Sequence, residues 1–308
     1  MKRAETIFFV TKNIFCVVGL FFVMIIFIGV ATAENLSDYI RVSKQEGKLH
    51  PTSLDTPIVK FENKKSGVEV MLIGAVHIAD KKYYDELNDE FKKYEAVLFE
   101  LVVANENKDK NNKLDKSIFD KKRKNTYKEF QGGFGEILEL THQVDHIDYK
   151  AENMIHADLT MDEFLKRMAA RGDWFNELAM MMLSMSEGGT NELELEGRLL
   201  GSMLASNPAL SFKRNFARLL TSKLADTSKL FPKDATAIIT DRNAEALKVL
   251  KKEIKKGSKK IAIFYGCAHL PEFATSLKKD FNLKKTETKW IVAWDLTKNK
   301  SARKKNNP

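Results

Sequence analysis

The stretch Val68-Glu69-Val70-Met71-Leu72-Ile73-Gly74-Ala75-Val76-His77 decides the fold, because an apolar run there ends in a Gly-x-x-His motif. The run Ile261-Ala262-Ile263-Phe264-Tyr265 ends in the same way, in Gly266-Cys267-Ala268-His269. Short apolar runs of this kind predict buried strands, and helix-compatible residues follow each histidine. Side chains that follow the strands of an α/β protein gather at one edge of the sheet. The doubled motif therefore predicts that His77 and His269 converge on one reactive site.

The first motif lies within a strand–helix–strand pattern. Residues 57–62 and 68–73 flank the turn-rich stretch Asn-Lys-Lys-Ser-Gly, which predicts a β-hairpin. Residues 80–94 carry apolar side chains at a helical period, and residues 96–103 form a second apolar run. Two strands joined through a helix favour a parallel pair with a crossover connection.

The rest of the chain adds a helical block and a second α/β part. Residues 160–230 have a helical pattern almost throughout, and Thr160 followed by Glu163 matches a capping box at its start. A helix at 241–255 precedes the second motif, and residues 286–296 alternate apolar and polar side chains as in a strand. The predicted class is α/β, with a central mixed sheet of two related halves and a mostly helical insert.

Methionine is concentrated in the helical block, where residues 180–185 read Met-Met-Met-Leu-Ser-Met. Two interpretations stay open. The block is either a packed cap over the sheet or a lid that shapes a peptide or lipid pocket, since flexible methionine side chains adapt to varied ligands.

Both ends of the chain differ in composition from the predicted α/β domain at 57–298. Residues 1–33 join a basic start to an apolar run and an Ala-Thr-Ala cleavage pattern, which predicts a signal peptide or an uncleaved membrane anchor. In either case the domain is exported: periplasmic, secreted or held outside the membrane. We expect residues 34–56 to be a polar lead-in, residues 105–128 a charged insert and residues 299–308 a basic, disordered tail.

The charge and cysteine counts narrow the choice of partners. The net charge is +9, of which residues 1–33 contribute +2. Solvated loops and a frayed terminus explain the basic stretches best, and contact with an anionic membrane surface through the N-terminal segment and the basic tail is the functional alternative. The sequence has no zinc-finger spacing, helix-turn-helix pattern or basic–aromatic interleaving, so we expect no nucleic-acid partner. Cys16 belongs to the exported segment, which leaves Cys267 as a single thiol and excludes an intrachain disulfide from the domain.

Glu100 and Arg242 are the next candidates for chemistry. Glu100 interrupts an apolar run, where a carboxylate is costly unless it is paired or binds a metal. Arg242 begins a predicted helix, where the helix dipole disfavours a cation. This misfit indicates another task, such as pairing with Glu100 or clamping a substrate carbonyl or carboxylate. Asn243 beside it is a candidate for orienting substrate.

The remaining candidates lie outside the two motifs or beside them. His156 and Asp158, in a stretch that precedes the capped helix, are candidates for a substrate or gating contact. Cys267 lies inside the second motif, and we expect a small apolar filler there rather than a nucleophile. A set of two histidines and one glutamate, His77, Glu100 and His269, suits zinc or manganese. The same set also suits a metal-free acid–base pair.

The two Gly-x-x-His motifs, the strand-end Glu100 and the Arg242-Asn243 pair together resemble the TraB/GumN/Tiki family. The order and spacing match over about residues 57–298. The resemblance implies an α/β fold with two related halves, and metal-dependent, membrane-associated or secreted peptidases are among the characterised members. It also implies a site of His77, Glu100, Arg242 and His269. The charged insert and the stretch around Asp158 depart from the simplest members and leave the substrate open.

Three hypotheses follow for the function. The first is an exported metal-dependent hydrolase, a peptidase, in which His77, Glu100 and His269 bind the ion that activates water and Arg242 stabilises the oxyanion. The second is a non-catalytic protein that sequesters a peptide or small ligand. The third is a metal-free esterase.

Overall fold

The computed structural model describes residues 35–107, 114–119, 138–171, 201–226 and 237–297. The segment 1–33 that we predict to direct export, most of the charged insert, the methionine-rich centre of the predicted helical block and the basic tail lie outside the described residues. No helix among the described residues has the length and apolar character that a membrane crossing requires.

The architecture is α/β, as the sequence predicts: a mixed seven-stranded sheet with helices, and a separate pair of short strands. The strands are β1 Arg41–Ser43, β2 Ser53–Asn63, β3 Val68–Ala75, β4 Ile78–Ala79, β5 Ala96–Phe99, β6 Thr141–His142, β7 Met154–His156, β8 Lys260–Gly266 and β9 Lys284–Asp295. The α-helices are α1 Lys81–Phe91, α2 Gln143–His146, α3 Met161–Arg171, α4 Pro208–Asp226, α5 Arg242–Lys256 and α6 Leu270–Lys279. A π-helical turn, Ala237–Asp241, leads directly into α5.

The predicted hairpin forms one side of the sheet. Strands β2 and β3 pair antiparallel with Ile58 opposite Ile73, and β9 runs antiparallel along the other edge of β2. Strand β2 begins at Ser53, and β1 pairs with its first residues. The segment 34–56, which we expected to be a polar lead-in, therefore contributes to the sheet, and several of its apolar side chains, among them Tyr39, Ile40 and Leu54, are buried.

Four parallel strands form the other side of the sheet, in the spatial order β3, β8, β5, β7. Strand β8 lies between β3 and β5, so the C-terminal part of the chain is inserted between the two strands that the first crossover joins. All four strands end at the same edge. That edge is where an open α/β sheet places its ligands.

Helices cover both faces of the parallel strands, as a parallel sheet requires. Neighbouring residues of a strand point to opposite faces. On β8, Phe264 contacts Phe91 of α1, with ring centroids 4.8 Å apart. Tyr265 points to the other face and contacts Phe273 of α6 at 5.1 Å. The buried interior of the domain therefore has two layers, one on each side of the sheet.

Three short elements differ from their predictions. The apolar run at 96–103 is a strand only as far as Phe99. The sequence also predicts a short strand over residues 146–149, but His146 ends the helical turn Gln143–His146, and the edge strand is Met154–His156. A further predicted helix, which follows Gly135 and ends at about His142, lies largely outside the described residues, and the short strand β6 stands at its predicted end. Elements of two to four residues are too short for periodicity to identify.

The two described helices of the helical insert, α3 and α4, both begin where the sequence predicts a helix start. Thr160 Oγ1 accepts a hydrogen bond from the Glu163 backbone, and Glu163 Oε2 accepts one from the Thr160 backbone, which completes the capping box. Helix α4 begins at Pro208, and Asn207 Oδ1 accepts the amide of Leu210 at 3.1 Å.

Candidate active site

The two Gly-x-x-His motifs lie side by side at the C-terminal edge of the parallel strands. Gly74 pairs with Tyr265, and Ala75 pairs with Gly266, so the motifs follow neighbouring strands one residue out of step. A Cβ atom added to Gly74 would lie 2.8 Å from Cys267 Sγ. Glycine at this position allows the chain to approach the second motif closely.

His269 is buried and is held by Asn243. The histidine ends a 3-10 turn and is the N-cap residue of α6. Its Nδ1 lies 2.6 Å from Asn243 Oδ1, and Asn243 Nδ2 donates to the backbone oxygen of His269 at 3.3 Å. The ring of Tyr265 packs edge-on against the imidazole at 5.1 Å. The contacts with Asn243 and Tyr265 hold the ring in one orientation.

The two bonds from Asn243 also decide the tautomer of His269. A backbone carbonyl only accepts hydrogen bonds, so the amide nitrogen of Asn243 must face it and Oδ1 must face the ring. Nδ1 of His269 is therefore the protonated nitrogen, and Nε2 carries the lone pair. Burial lowers the pKa of His269 to about 4, against the opposing effect of nearby Glu100, so the ring is neutral at pH 7.

Glu100 follows β5 directly and faces this lone pair. Its Oε2 accepts the backbone amide of Gly266 at 2.7 Å, and its Oε1 accepts Nη2 of Arg242 at 2.7 Å. Burial alone would raise the pKa of Glu100, but the charge of Arg242 and the hydrogen bond from the Gly266 backbone hold it well below the usual range. Glu100 is therefore ionised in the folded protein, although its side chain is only 10% exposed.

Arg242 is shared between two carboxylates. Asp158 accepts its Nε at 2.9 Å and its Nη2 at 2.5 Å, and Glu100 accepts Nη2 as well. The three residues meet because the chain segments after β5 and β7 stay side by side as far as the parallel bridge between Val103 and Thr160. The unfavourable position of Arg242 at the start of α5 thus has the cause that its sequence context indicated, a pairing with Glu100.

His77 has a different environment from His269. Its residue is half-buried, and among the described residues its ring has no hydrogen-bond partner. Glu100 and His269 both interact electrostatically with His77, so His77 lies near them. A helix does not begin directly after His77, contrary to prediction. Strand β4 comes first, and α1 begins only at Lys81.

The site therefore combines several hydrogen-bond acceptors with one donor nitrogen, on Arg242, that the carboxylates leave unused. Nε2 of His269 lies 3.7 Å from Oε1 of Glu100, and both atoms are acceptors. The ring of His77 adds a further acceptor. Nη1 of Arg242 is the guanidinium nitrogen that neither carboxylate uses. Such a set can bind the hydrogens of a water molecule and stabilise an oxyanion.

The predicted metal ligands meet in this site, but they do not form a complete metal centre. The described residues contain no group of three or more His, Cys, Asp or Glu side chains placed to hold a metal ion. His269 Nε2 and Glu100 Oε1 are close enough to share one ion, since zinc lies about 2.0–2.2 Å from such donors. Both oxygens of Glu100 already accept hydrogen bonds, however, and one of their donors is a cation.

Three residues predicted to contact substrate have other partners in the structure. Asn243 is fully buried and holds His269, and Asp158 is 1% exposed and holds Arg242. Nε2 of His156 lies 2.6 Å from the backbone oxygen of Leu101, outside the cluster. Asn243 and Asp158 therefore support the site rather than line it, whereas His156 contacts the backbone beside it.

Cys267 and Tyr265 also lie at the site. Cys267 is buried, and burial raises its pKa, so its thiol is a filler beside the site, as expected. Sequence analysis missed Tyr265, which packs against His269 and donates a hydrogen bond to the backbone oxygen of Ala157. The only signal was its position directly before Gly266.

Comparison of the chain with family models, with curated proteins and with solved structures gives no match. The resemblance to the TraB/GumN/Tiki family rests on the motifs alone.

Proposed function

We propose that this protein is a hydrolase that cleaves a carbonyl-containing bond, a peptide or an ester, with a water molecule activated by its two histidines and Glu100. The observation that carries the proposal is the facing pair of acceptors, His269 Nε2 and Glu100 Oε1, 3.7 Å apart beside the unbonded ring of His77. Two proton acceptors held at this distance in a buried site repel each other unless a hydrogen lies between them. A water molecule supplies that hydrogen.

The residues divide the reaction between them. The water donates one hydrogen to the His269–Glu100 pair and the other to His77. His77 is the base, because its ring is accessible, whereas burial makes His269 a weak base. The water oxygen attacks the carbonyl carbon, and Nη1 of Arg242 stabilises the oxyanion. His77 then returns the proton to the leaving amine or alcohol as the C–N or C–O bond to the carbonyl carbon breaks and the C=O bond re-forms.

A screen of peptide and ester libraries with the purified protein tests this proposal, with mass spectrometry to identify the products. We expect Glu100→Gln and His77→Ala to lower the rate of hydrolysis by about 10²-fold or more. His50→Ala is the matched control, since His50 is exposed and lies outside the site. Ligands that bind and are recovered intact would instead support sequestration. Full activity in His77→Ala would reject the mechanism.

A metal-dependent hydrolase is the second candidate, favoured by the 3.7 Å separation of His269 Nε2 and Glu100 Oε1. His77 would complete the ligand set, and a zinc or manganese ion would supply Lewis-acid activation of water. Metal analysis of the purified protein beside the His77→Ala/His269→Ala double variant separates the two candidates. Stoichiometric metal in the parent, absent from a folded double variant, supports the metal enzyme. Activity that survives chelation supports the metal-free mechanism.

Export of the enzyme by residues 1–33 is part of the proposal, supported by the basic start, apolar run and Ala-Thr-Ala pattern of that segment. Fractionation of cells that express the full chain tests it. We expect the domain outside the cytoplasmic membrane. Recovery in the cytoplasm alone would contradict export.

A further inference from the structure

We infer that the substrate group that binds Arg242 is an uncharged carbonyl rather than a carboxylate or phosphate, and that Asp158 is the residue that sets this preference. The inference rests on the hydrolase function proposed above. It replaces the expectation that Arg242 could clamp a substrate carboxylate.

The hydrogen-bond geometry is the first argument. Arginine recognises carboxylates and phosphates through two parallel donors of its planar fork. In this protein Asp158 already binds one such pair, Nε and Nη2 of Arg242. Nη2 also donates to Glu100. The single nitrogen that remains, Nη1, matches one carbonyl oxygen and not a two-oxygen anion.

The charge of the cluster is the second argument. One guanidinium charge is shared between two carboxylates, so the triad carries a net charge of −1 while the histidines are neutral. All three side chains are largely shielded from water: 11% of Arg242, 10% of Glu100 and 0% of Asp158 is exposed. Charges in such surroundings are weakly screened. A substrate that already carries a carboxylate or phosphate would bring its full charge to two carboxylates and one cation on binding, whereas a neutral carbonyl develops negative charge at Nη1 only in the transition state.

The neighbouring charges reinforce this balance. Arg167, on the adjacent helix α3, lies 3.9 Å from Asp241, the residue directly before Arg242, and so its charge is also compensated. Glu272 in the first turn of α6 accepts a hydrogen bond from Thr240 at 3.0 Å. Acidic side chains therefore surround the start of α5 on more than one element.

Asp158 rather than Glu100 is the residue that can be changed to test this. Glu100 belongs to the proposed water-binding set, whereas Asp158 binds Arg242 and is not one of the two facing acceptors. Asp158→Asn keeps the size and one acceptor of the side chain but removes its charge. The guanidinium charge would then be shared with Glu100 alone, and more of it would be available to the substrate.

The experiment uses the full-length protein and two matched probe pairs. The first pair is a neutral ester or peptide substrate from the screen and its analogue with a carboxylate next to the scissile carbonyl. The second pair is benzamide and benzoate, whose binding is measured by calorimetry without any need for turnover. We expect the parent protein to prefer the neutral member of each pair by about tenfold or more. In Asp158→Asn the preference for the neutral over the anionic member of each pair should become smaller. For the substrate pair, we expect this change in KM rather than in kcat.

The outcomes separate this inference from the proposed function. Equal handling of neutral and anionic probes by the parent, or binding of neither benzamide nor benzoate, would overturn the inference. So would an unchanged preference in folded Asp158→Asn. If that variant does not fold, the parent alone decides, since its selectivity needs no substitution. Discrimination between benzamide and benzoate without any hydrolysis would support the inference while rejecting the hydrolase.

Discussion

The two Gly-x-x-His motifs are spelled alike and follow neighbouring strands of one sheet, yet their histidines have different surroundings. His269 lies in a helical turn, is 4% exposed and is held by Asn243. His77 is half-buried, and its ring is without a hydrogen-bond partner among the described residues. The element that comes after each motif explains the difference. After His269 the chain enters α6 at once, whereas after His77 it forms β4 before α1 begins at Lys81.

This comparison indicates a division of labour within one site. A helix that begins directly after a residue fixes the backbone and brings the residue under the helix, which favours a rigid support. A short strand between motif and helix leaves the side chain at the sheet edge, where a substrate can reach it. The same four-residue pattern can therefore supply a fixed hydrogen-bond acceptor, His269, in one motif and the accessible base, His77, in the other.

Replacement of each histidine by alanine is the most direct test of their different roles. We expect both His77→Ala and His269→Ala to lower hydrolysis by about 10²–10⁴-fold. Only His269→Ala should also destabilise the fold, by about 2–3 kcal/mol. The substitution leaves a cavity, and it leaves the buried Oδ1 of Asn243 without its hydrogen-bond partner. His77→Ala should change the free energy of unfolding by less than about 1 kcal/mol. Denaturant unfolding beside activity assays measures both effects, and equal destabilisation would contradict the division of labour.

The pH dependence of stability tests the same difference through unfolding alone, without an activity assay. The pKa of His269 falls from 6.5 to about 4 on folding, because burial disfavours the charged ring. Its contribution is therefore complete above pH 6.5 and is lost as the pH falls toward 4, since the unfolded chain then binds the extra proton. The loss amounts to roughly 3 kcal/mol, at about 1.4 kcal/mol per pH unit. His269→Gln should flatten this part of the unfolding profile. A profile as steep in the variant as in the parent would show that other groups cause it.

Sequence analysis located most of the site because its signals are local. A buried strand followed by Gly-x-x-His needs only a short window, and so does a carboxylate that interrupts an apolar run. The parallel arrangement of β3, β5 and β8 then brings His77, Glu100 and His269 together. Arg242 was detectable because a cation at a helix start conflicts with the helix dipole.

The supporting residues were harder to predict because their partners come from distant strands. Asp158 binds Arg242 only because β7 is the neighbour of β5, and a strand of three residues gives too little periodicity to be recognised. The predicted strand at 146–149 placed that edge in the wrong segment. Asn243 was assigned to the substrate because its neighbour Arg242 faces the site. Successive residues in the first turn of a helix point in different directions, and Asn243 points to His269.

The smallest expected difference between the motifs comes from their glycines. Gly74→Ala would place a Cβ atom 2.8 Å from Cys267 Sγ and 3.0 Å from Pro57 Cδ, so we expect a loss of about 1–3 kcal/mol in stability. Gly266→Ala meets Glu100 Oε2 only at 3.4 Å, and its φ of −49° and ψ of 139° suit alanine. The second change should therefore lie within about 1 kcal/mol of the parent, since alanine also restricts the unfolded chain. Thermal unfolding of the two variants measures this contrast. If Gly266→Ala destabilised the protein more than Gly74→Ala, the close contact between the motifs would not explain why position 74 is a glycine.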